Sequence, residues 1–582
     1  MKIKHTILVL LLGIFCLDVS AQKKDVVLPP NWYNLDLIQD GYFGVSTERA
    51  YQELLKGKSP KKKVVVAVID GGIEIAHEDL KGAIWTNKKE IPNNGIDDDQ
   101  NGYIDDVNGW NFIGSKKGNL AYDNLELVRI YRKYNPKYRS TIRSTQLDST
   151  EKEEFALYRR VTTEFGKRYD DADKNFSVLT LINNLLDSVA VANNTDTPTY
   201  AHLENYKTDD ARDLQIKKII RSGTKESGSY EKFYKEIKDA YRQYNVMIKY
   251  NLNPKYDQRE ELVGDDYENP KERIYGNNDV MGPNAEHGSH VAGIIAANRN
   301  NELGIRGIAD QVLIMPIRVV PEGDERDKDV ANGIRYAVDN GADIINMSFG
   351  KGYKWAKEEV DEAIKYAESK GVLLVHAAGN DNKDNDRVEN YPTKYYDSKE
   401  AEEYRKKNKP STDILPRPPV PLGSNPNAYN VPRPVKPLPV DTAKFNLPHA
   451  SNWVEVGASA YADDLDLKAG FSNYGKYTVD VFAPGFMIKS TVPKSKYEEF
   501  DGTSMAAPVV SGVAAVLLSY YPDLRPQDIR DILMKSVTKV NRKVKHKNDK
   551  GETIRVNFSE LCRSSGVVNL YNALKLAESY RK

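Results

Sequence analysis

The sequence predicts an α/β fold in which helices cover both faces of a mainly parallel central sheet. Residues 61–70, KKKVVVAVID, are a continuous β-branched run, which is typical of a strand buried on both faces. Strand-like runs recur at Val312–Val319, Ile344–Phe349 and Val372–Ala378, and helical patterns lie at Val291–Asn298, Val330–Asn340 and Trp355–Lys370. Alternation of this kind is typical of parallel strands joined by helices.

A further helix is predicted at Thr503–Tyr520. It is rich in alanine and valine and contains no charged residue, so we expect it to lie buried in the centre of the protein.

Two segments interrupt the α/β pattern. Residues 119–280 are charged, tyrosine-rich and helical in their spacing, which predicts an inserted helical subdomain between residues 61–118 and 281–582 of one domain. The apolar positions that carry this spacing are Val178, Leu179, Ile182, Leu185, Leu186 and Val189, and then Tyr230, Phe233, Tyr234, Ile237, Tyr241 and Tyr244. The second segment, residues 410–440, contains ten prolines, so it predicts an extended surface loop within the same domain.

The charge balance limits the classes of partner. The chain has 582 residues, with 84 Lys+Arg against 84 Asp+Glu. A protein built mainly to bind nucleic acid would need a basic surface, so no nucleic-acid partner is predicted.

The first 21 residues are typical of an export signal. Lys2 and Lys4 precede an apolar run at residues 7–15, and Val19-Ser20-Ala21 is a small-residue cleavage site, so the mature chain is expected to begin at Gln22. The apolar run is too short for a transmembrane anchor, and no later stretch in the sequence is long and apolar enough for one. We therefore expect a periplasmic, cell-surface or extracellular protein.

Three further features of the exported chain follow from the sequence. Lipid attachment at Cys16 is an alternative to ordinary cleavage, although Phe15 stands where a small residue is usual. Loss of Cys16 leaves Cys562 alone, so no internal disulfide is expected. Residues 22–60 form either a brace on the following domain or a short propeptide.

Three short motifs supply an acid, an imidazole and a hydroxyl. Asp70 ends the first buried strand, His287 lies in HGSHVAG at a helix start, and Ser504 lies in GTSMAAP at the start of the buried helix. A serine hydroxyl becomes a nucleophile when an imidazole takes its proton, and a carboxylate orients that imidazole. The ends of parallel strands are where such groups converge. These residues predict nucleophilic hydrolysis.

A fourth motif supplies a donor for the oxyanion of such a reaction. Asn380 ends the predicted strand in the sequence HAAGN. Its side-chain amide and the Ser504 backbone N–H are the two donors that we expect to face the developing charge.

Together these motifs resemble those of the subtilisin-like serine proteases, the subtilases or peptidase S8 family. The stretches DGG, HGSHVAG, NMSFG, AAGN and GTSMAAP occur in the family's order Asp, His, Asn, Ser. The resemblance implies a three-layer α/β fold and a serine endopeptidase that acts on protein or peptide substrates. It implies Asp70, His287 and Ser504 as the triad and Asn380 as the oxyanion residue.

The resemblance also implies a substrate-binding region. Ser348-Phe349-Gly350 resembles the strand that pairs with the substrate backbone and forms one wall of the specificity pocket. Ala377-Ala378-Gly379 resembles the opposite wall, and Asn390, before Tyr391-Pro392, is expected near the pocket floor.

Two alternatives remain for the function. One is a catalytically silent subtilase-like scaffold that binds through the tyrosine-rich insertion. The other is a processing protease of narrow specificity, because the excess length lies between catalytic residues. An α/β-hydrolase would need its catalytic histidine after the serine in the chain. Only His546 lies there, and no motif surrounds it, so an α/β-hydrolase is not predicted.

An acidic loop predicts a calcium site. Counted from Asp97, oxygen ligands fall at the spacing of an EF-hand loop, at Asp97, Asp99, Asn101, the Tyr103 carbonyl and Asp105. Gly102 stands at the sharp turn, but Asn108 replaces the closing glutamate. The alternative is an acidic turn without a metal.

Overall fold

The computed structural model describes residues 27–141, 147–407, 440–548 and 550–580. The predicted export signal, with Cys16, and almost all of the predicted proline-rich loop lie outside these residues. The described part contains fourteen α-helices and fifteen strands, together with short 3₁₀ and π turns.

The strands, in chain order, are β1 Val64–Asp70, β2 Trp110–Asn111, β3 Gly114–Ser115, β4 Gly118–Asn119, β5 Val312–Arg318, β6 Ile344–Met347, β7 Leu373–Ala377, β8 Trp453–Ser459, β9 Val481–Pro484, β10 Ile488–Val492, β11 Lys496–Phe500, β12 Thr538–Lys539, β13 Lys543–Lys547, β14 Thr553–Asn557 and β15 Gly566–Val567.

The helices are α1 Thr47–Arg49, α2 Glu126–Tyr138, α3 Ser149–Ala192, α4 Tyr200–Asn205, α5 Ala211–Ser227, α6 Tyr230–Val246, α7 Arg259–Leu262, α8 Glu286–Ala296, α9 Asp327–Asp339, α10 Lys357–Ser369, α11 Lys399–Lys407, α12 Thr503–Tyr520, α13 Pro526–Lys535 and α14 Leu570–Ala577.

Nine strands form the central sheet, in the order β12-β15-β9-β8-β7-β6-β1-β5-β2. The pairings from β2 to β15 are parallel, and only β12 pairs antiparallel, with β15. The predicted mainly parallel sheet is confirmed. Its predicted strands are present, with ends that differ by at most three residues.

The sheet is covered on both faces, as its sequence predicts. Along β1, Val64, Val66 and Val68 pack into a core with α8 and α12, whereas Ala67 and Ile69 pack into a core with α9 and α10. Successive side chains of a strand point to opposite faces, so an unbroken apolar run needs cover on both sides. The fold is therefore a three-layer α/β sandwich.

Residues 27–60 pack against this domain rather than standing apart from it. Trp32 and Tyr33 are buried in the core that contains α8 and α12. The Trp32 indole donates to the Met487 carbonyl at 3.0 Å, and the Tyr33 hydroxyl donates to the Arg306 carbonyl at 3.1 Å. Both readings of the N-terminal segment, a brace or a short propeptide, place it against the domain, so both stay predictions.

Within residues 119–280, the described part forms helices α2 to α7, as predicted, and has its own apolar clusters. The outer cluster joins α3, α5 and α6 through the predicted positions Leu179, Ile182, Leu186, Phe233 and Ile237. An inner cluster joins α2 and α3 to Tyr353 and Trp355, which follow the predicted substrate strand.

By length and composition alone, two described helices, α3 and α12, meet a criterion for crossing a membrane, whereas the sequence pattern predicted no such stretch. The apolar window of α12 is 94% buried inside the protein, as expected of its central position, and that of α3 is 33% buried.

Candidate active site

Asp70 and His287 form a hydrogen-bonded pair at the carboxyl end of β1. Asp70 is the last residue of β1 and is buried, and His287 lies in the first turn of α8. The distances from His287 Nδ1 to the two Asp70 carboxylate oxygens are 2.8 and 3.0 Å. Burial lowers the pKa of His287, but the charge and hydrogen bond of Asp70 outweigh it, so the pKa lies above its ordinary value.

Gly288 explains how α8 comes so close to Asp70. A Cβ atom at this position would lie 2.2 Å from the Gly72 carbonyl oxygen and 3.1 Å from Asp70 Cβ. A side chain there would push α8 away from the strand end, so the glycine of HGSHVAG permits the His287–Asp70 hydrogen bond.

Ser504 lies at the start of α12, where it contacts the loop after β6. Its hydroxyl donates to the Ser348 carbonyl at 2.9 Å, and the Ser348 hydroxyl donates to the Ser504 carbonyl at 2.8 Å. Among the described residues, the Ser504 hydroxyl is thus bonded to Ser348 and not to His287. Nucleophilic attack requires this hydroxyl to turn from the Ser348 carbonyl towards the imidazole.

Asn380 follows β7 and faces the same helix start. Its Oδ1 accepts hydrogen bonds from the Thr503 backbone N–H at 2.8 Å and from the Thr503 hydroxyl at 2.9 Å. These bonds fix the amide and leave Nδ2 as the outward donor. A Cβ atom built on Gly502 would lie 3.5 Å from both Asn380 Nδ2 and the Ser504 nitrogen, so the two donors border a common space.

The two predicted pocket walls lie on either side of Asn390. Asn390 Nδ2 donates to the Ala377 and Ala378 carbonyls, at 3.3 Å each. A Cβ on Gly350 would lie 2.7 Å from Asn390 Oδ1, and one on Gly379 would lie 3.6 Å from Asn390 Nδ2. The Asn390 amide therefore lies between the residues of the two predicted walls.

An open cleft of about 820 Å³ connects several of these residues. Asp70, His287, Ser348 and Phe349 line it together with the loop after β5 and the hairpin of β10 and β11. Tyr122, Arg242 and Val246 of the helical insertion also line it. No sequence pattern assigned these three residues to the cleft, because their contact with it depends on the packing of the insertion.

His290 is a structural residue of α8. Its Nε2 donates to the Glu498 carbonyl at 3.1 Å, and its ring stacks on Phe500 with 4.3 Å between the centroids. Burial lowers its pKa to about 3, so the imidazole is neutral. This bonding leaves its Nε2 unable to join His287 as a metal ligand.

Several of the predicted ligands in the acidic loop accept hydrogen bonds from nearby backbone amides. The Asp97 carboxylate accepts from the Asn101 and Gly102 amides, and the Asp105 carboxylate accepts from the Asn94 and Gly95 amides. Asn101 Oδ1 accepts from the Tyr103 amide, and the Tyr103 hydroxyl donates to the Arg273 carbonyl.

Carboxylates do converge at one place in this loop. Oxygen atoms of Glu90, Asp99 and Asp106 lie within 4.8 Å of one another, and only Asp99 belongs to the predicted ligand set. Burial, although opposed by hydrogen bonds from Tyr336, Asn101 and Asn87, raises the pKa of Asp106 to about 6. The EF-hand spacing does not include Glu90, which comes close because the chain folds back on itself.

Comparisons with known proteins support the family resemblance. The subtilase family model, peptidase S8, matches residues 61–552. Thermitase from Thermoactinomyces vulgaris is 34% identical over 234 residues, which are 40% of this chain and 61% of that protein. Subtilisin E from Bacillus subtilis (strain 168) is 31% identical over 258 residues, 44% of this chain and 51% of that protein.

A third relative, the thermophilic serine proteinase from Bacillus sp. (strain AK1), is 34% identical over 234 residues, which are 40% of this chain and 42% of that protein. The chain therefore spans less than two thirds of the length of each of these three relatives.

Proposed function

Because this chain belongs to the subtilase family, we propose that it is a serine endopeptidase whose triad is Asp70, His287 and Ser504. The observation that carries the proposal is the bonded Asp70–His287 pair, in the same cleft as Ser348, the residue that holds the Ser504 hydroxyl.

Each residue has a defined part in the proposed reaction. His287 takes the proton of the Ser504 hydroxyl as its oxygen attacks the peptide carbonyl, and Asp70 stabilises the resulting imidazolium. Asn380 Nδ2 and the Ser504 N–H donate to the oxyanion. The C–N bond then breaks, His287 gives its proton to the leaving amine, and water releases the acyl group from Ser504.

The substrate is proposed to bind as an extended strand against Ser348–Gly350. The side chain before the scissile bond would enter between Gly350 and Gly379, towards Asn390. The close approach of Asn390 to both glycines supports this position for the pocket floor.

The Ser504→Ala variant tests the reaction. We expect it to lose casein cleavage while it keeps the melting temperature of the unchanged protein, because Ala fits the helix start. Ser188→Ala, on the exposed part of α3, is the matched control and should retain full activity. Casein cleavage that survives in folded Ser504→Ala protein would refute the assignment.

We also propose a structural calcium ion at Glu90, Asp99 and Asp106. Calcium prefers carboxylate oxygens, and one buried oxygen of Glu90, Oε2, has no hydrogen-bond partner. A cation there would offset the cost of burying neighbouring carboxylates. When bound, the ion would supply local charge balance and would hold the loop.

Melting curves in EDTA and in excess calcium test the site. The expected result is a higher melting temperature with calcium, because an ion that binds only the folded state stabilises it. Glu90→Gln should reduce that difference, whereas Asp209→Asn, on an exposed turn of the insertion, should leave it unchanged. Equal melting temperatures in both solutions would contradict the site.

Export is the third part of the proposal. It is supported by the charged start, the apolar run and the Ala21 cleavage site of the first 21 residues. The mass of the mature protein should correspond to an N-terminus at Gln22. A mass that includes a lipid at Cys16 would indicate a lipoprotein, and an uncut N-terminus would contradict export.

A further inference from the structure

The gap between the two proposed pocket walls is occupied by the side-chain amide of Asn390. On one side, its Nδ2 donates to the Ala377 and Ala378 carbonyls at 3.3 Å each, and these bonds hold the amide in place. On the other side, a Cβ atom built on Gly350 would lie 2.7 Å from Oδ1, 2.8 Å from Nδ2 and 3.1 Å from Cγ. The amide therefore packs against both walls at once and bridges the gap between them.

The amide also limits the depth of this gap below the scissile bond. A Cβ atom on Gly379 would lie 3.6 Å from Asn390 Nδ2, which is an ordinary van der Waals distance. Gly379 is the neighbour of Asn380, whose amide is the proposed oxyanion donor, and consecutive Cα atoms are about 3.8 Å apart. The amide of Asn390 thus reaches to within about one residue of the level of the reacting carbonyl.

The open cleft of about 820 Å³ does not continue into this gap. Its lining includes Ser348 and Phe349, at the start of the proposed substrate strand. Gly350, Gly379 and Asn390 are not among the described residues that line it. The side chain before the scissile bond therefore depends on the space in the gap itself.

Behind the Asn390 amide lies a second cavity, of about 150 Å³. Asn390 lines it together with apolar and aromatic side chains that include Val388, Tyr395, Phe445 and Leu447, and no residue of either wall is among the described residues of its lining. A cavity of this size is large enough to hold a benzene ring. The Asn390 amide is thus a partition between a shallow gap at the scissile bond and a larger space behind it.

From this arrangement, which rests on the proposed function, we infer that the enzyme cleaves after residues with small side chains. A glycine, alanine or serine before the scissile bond fits above the Asn390 amide. A leucine or phenylalanine in the same place would meet the amide, which closes off the space behind it. The substrates are therefore protein or peptide segments with glycine, alanine or serine before the cleaved bond.

Capped tetrapeptide p-nitroanilides that differ only in the residue before the nitroanilide test the inference on the unchanged protein. We expect kcat/KM for alanine to exceed that for phenylalanine by about tenfold or more, because the larger side chain cannot enter the gap in the transition state. A value for phenylalanine equal to or above that for alanine would overturn the inference. Absence of hydrolysis of every substrate, with no labelling by a fluorophosphonate, would overturn the proposed function itself.

The bonds that the enzyme cuts in a whole protein give a second readout. Mass spectrometry of casein fragments should find glycine, alanine or serine before most of the cut bonds. Cleavage mainly after leucine, phenylalanine or tyrosine would contradict the inference.

The Asn390→Gly variant tests the partition directly, because it removes the amide and joins the gap to the cavity behind it. The ratio of kcat/KM for phenylalanine to that for alanine should rise by about tenfold or more. Asn194→Gly is the matched control, because Asn194 is exposed just after α3 with φ of 49°, which glycine adopts without strain, and it should keep the preference for alanine. Folded Asn390→Gly protein with an unchanged ratio would contradict the role of Asn390, and if the variant fails to fold, the two measurements on the unchanged protein decide.

Discussion

The two polar atoms of the Asn380 side chain have separate partners. The oxygen is held by the Thr503 N–H and hydroxyl, while the nitrogen borders the space beside the Ser504 N–H. The motif AAGN predicted a donor at this position, but it did not predict that Thr503 would orient the amide. That information depends on how α12 docks against the end of β7.

Asn380→Asp separates these two roles. An aspartate keeps an oxygen for Thr503 but has no amide donor, so kcat should fall by about 10²–10³ with the melting temperature nearly unchanged. Asn382→Asp is the control, because it adds the same negative charge two residues away and leaves the proposed oxyanion site unchanged. Unchanged kcat in Asn380→Asp would show that Asn380 does not bind the oxyanion.

In the proposed reaction, the His287–Asp70 pair sets the acid limit of activity. Catalysis needs neutral His287, and Asp70 raises its pKa, so kcat/KM should decline at a higher pH than an ordinary imidazole would give. In Asp70→Asn the pKa of His287 falls, so the acid limb of the kcat/KM profile should move to lower pH. The value of kcat should drop by about 10⁴-fold.

Glu286→Gln is the control variant for the pH profile. Glu286 also raises the pKa of His287, but it is the smallest of the causes, so its removal should move the limb slightly in the same direction with little loss of kcat. A limb that stays in place in Asp70→Asn would contradict the pairing.

At the scale of elements, α12 is the central helix of the domain, and its close packing depends on small residues. A Cβ atom on Gly512 would lie 2.5 Å from Ile308 Cβ. Gly512→Ala should therefore lower the free energy of unfolding by about 1–3 kcal/mol through overpacking.

Gly166 in α3 is the matched helical glycine, because a Cβ there would meet no atom within 4 Å. Gly166→Ala should raise stability by about 0.5–1 kcal/mol, since alanine costs less backbone entropy in a helix. Urea denaturation of both variants measures the difference. Similar free energies for the two variants would contradict the packing around α12.

The sequence predicted best those elements whose pattern of apolar residues reflects the burial of their side chains. The run at β1 and the composition of α12 both indicate cover on all sides, and both elements are present. The apolar pattern of α8 begins at Val291, five residues after the helix start at Glu286, and it was the motif HGSHVAG that placed His287 at the helix start. The polar residues of this motif form the first turns of the helix, where His287 can reach Asp70.

At the scale of the whole molecule, the predicted insertion is helical, but its relation to the cleft could not be read from the sequence. The buried ion pair of Glu126 with Lys351 joins residues 225 positions apart, and each alone is an ordinary charged residue in a polar segment. The cluster of Glu90, Asp99 and Asp106 was missed for the same reason, because no short motif includes all three. Contacts between distant segments thus determine which residues of the insertion line the cleft and where a cation would bind.

The proposal that this chain is an active serine peptidase, and not a silent scaffold, is tested most directly by labelling with a fluorophosphonate and locating the adduct by mass spectrometry. We predict one adduct, on Ser504, and its loss in folded His287→Ala protein, because the serine reacts only when the imidazole accepts its proton. Correctly folded protein that takes up no label, or that carries it on another residue, would contradict the proposed triad.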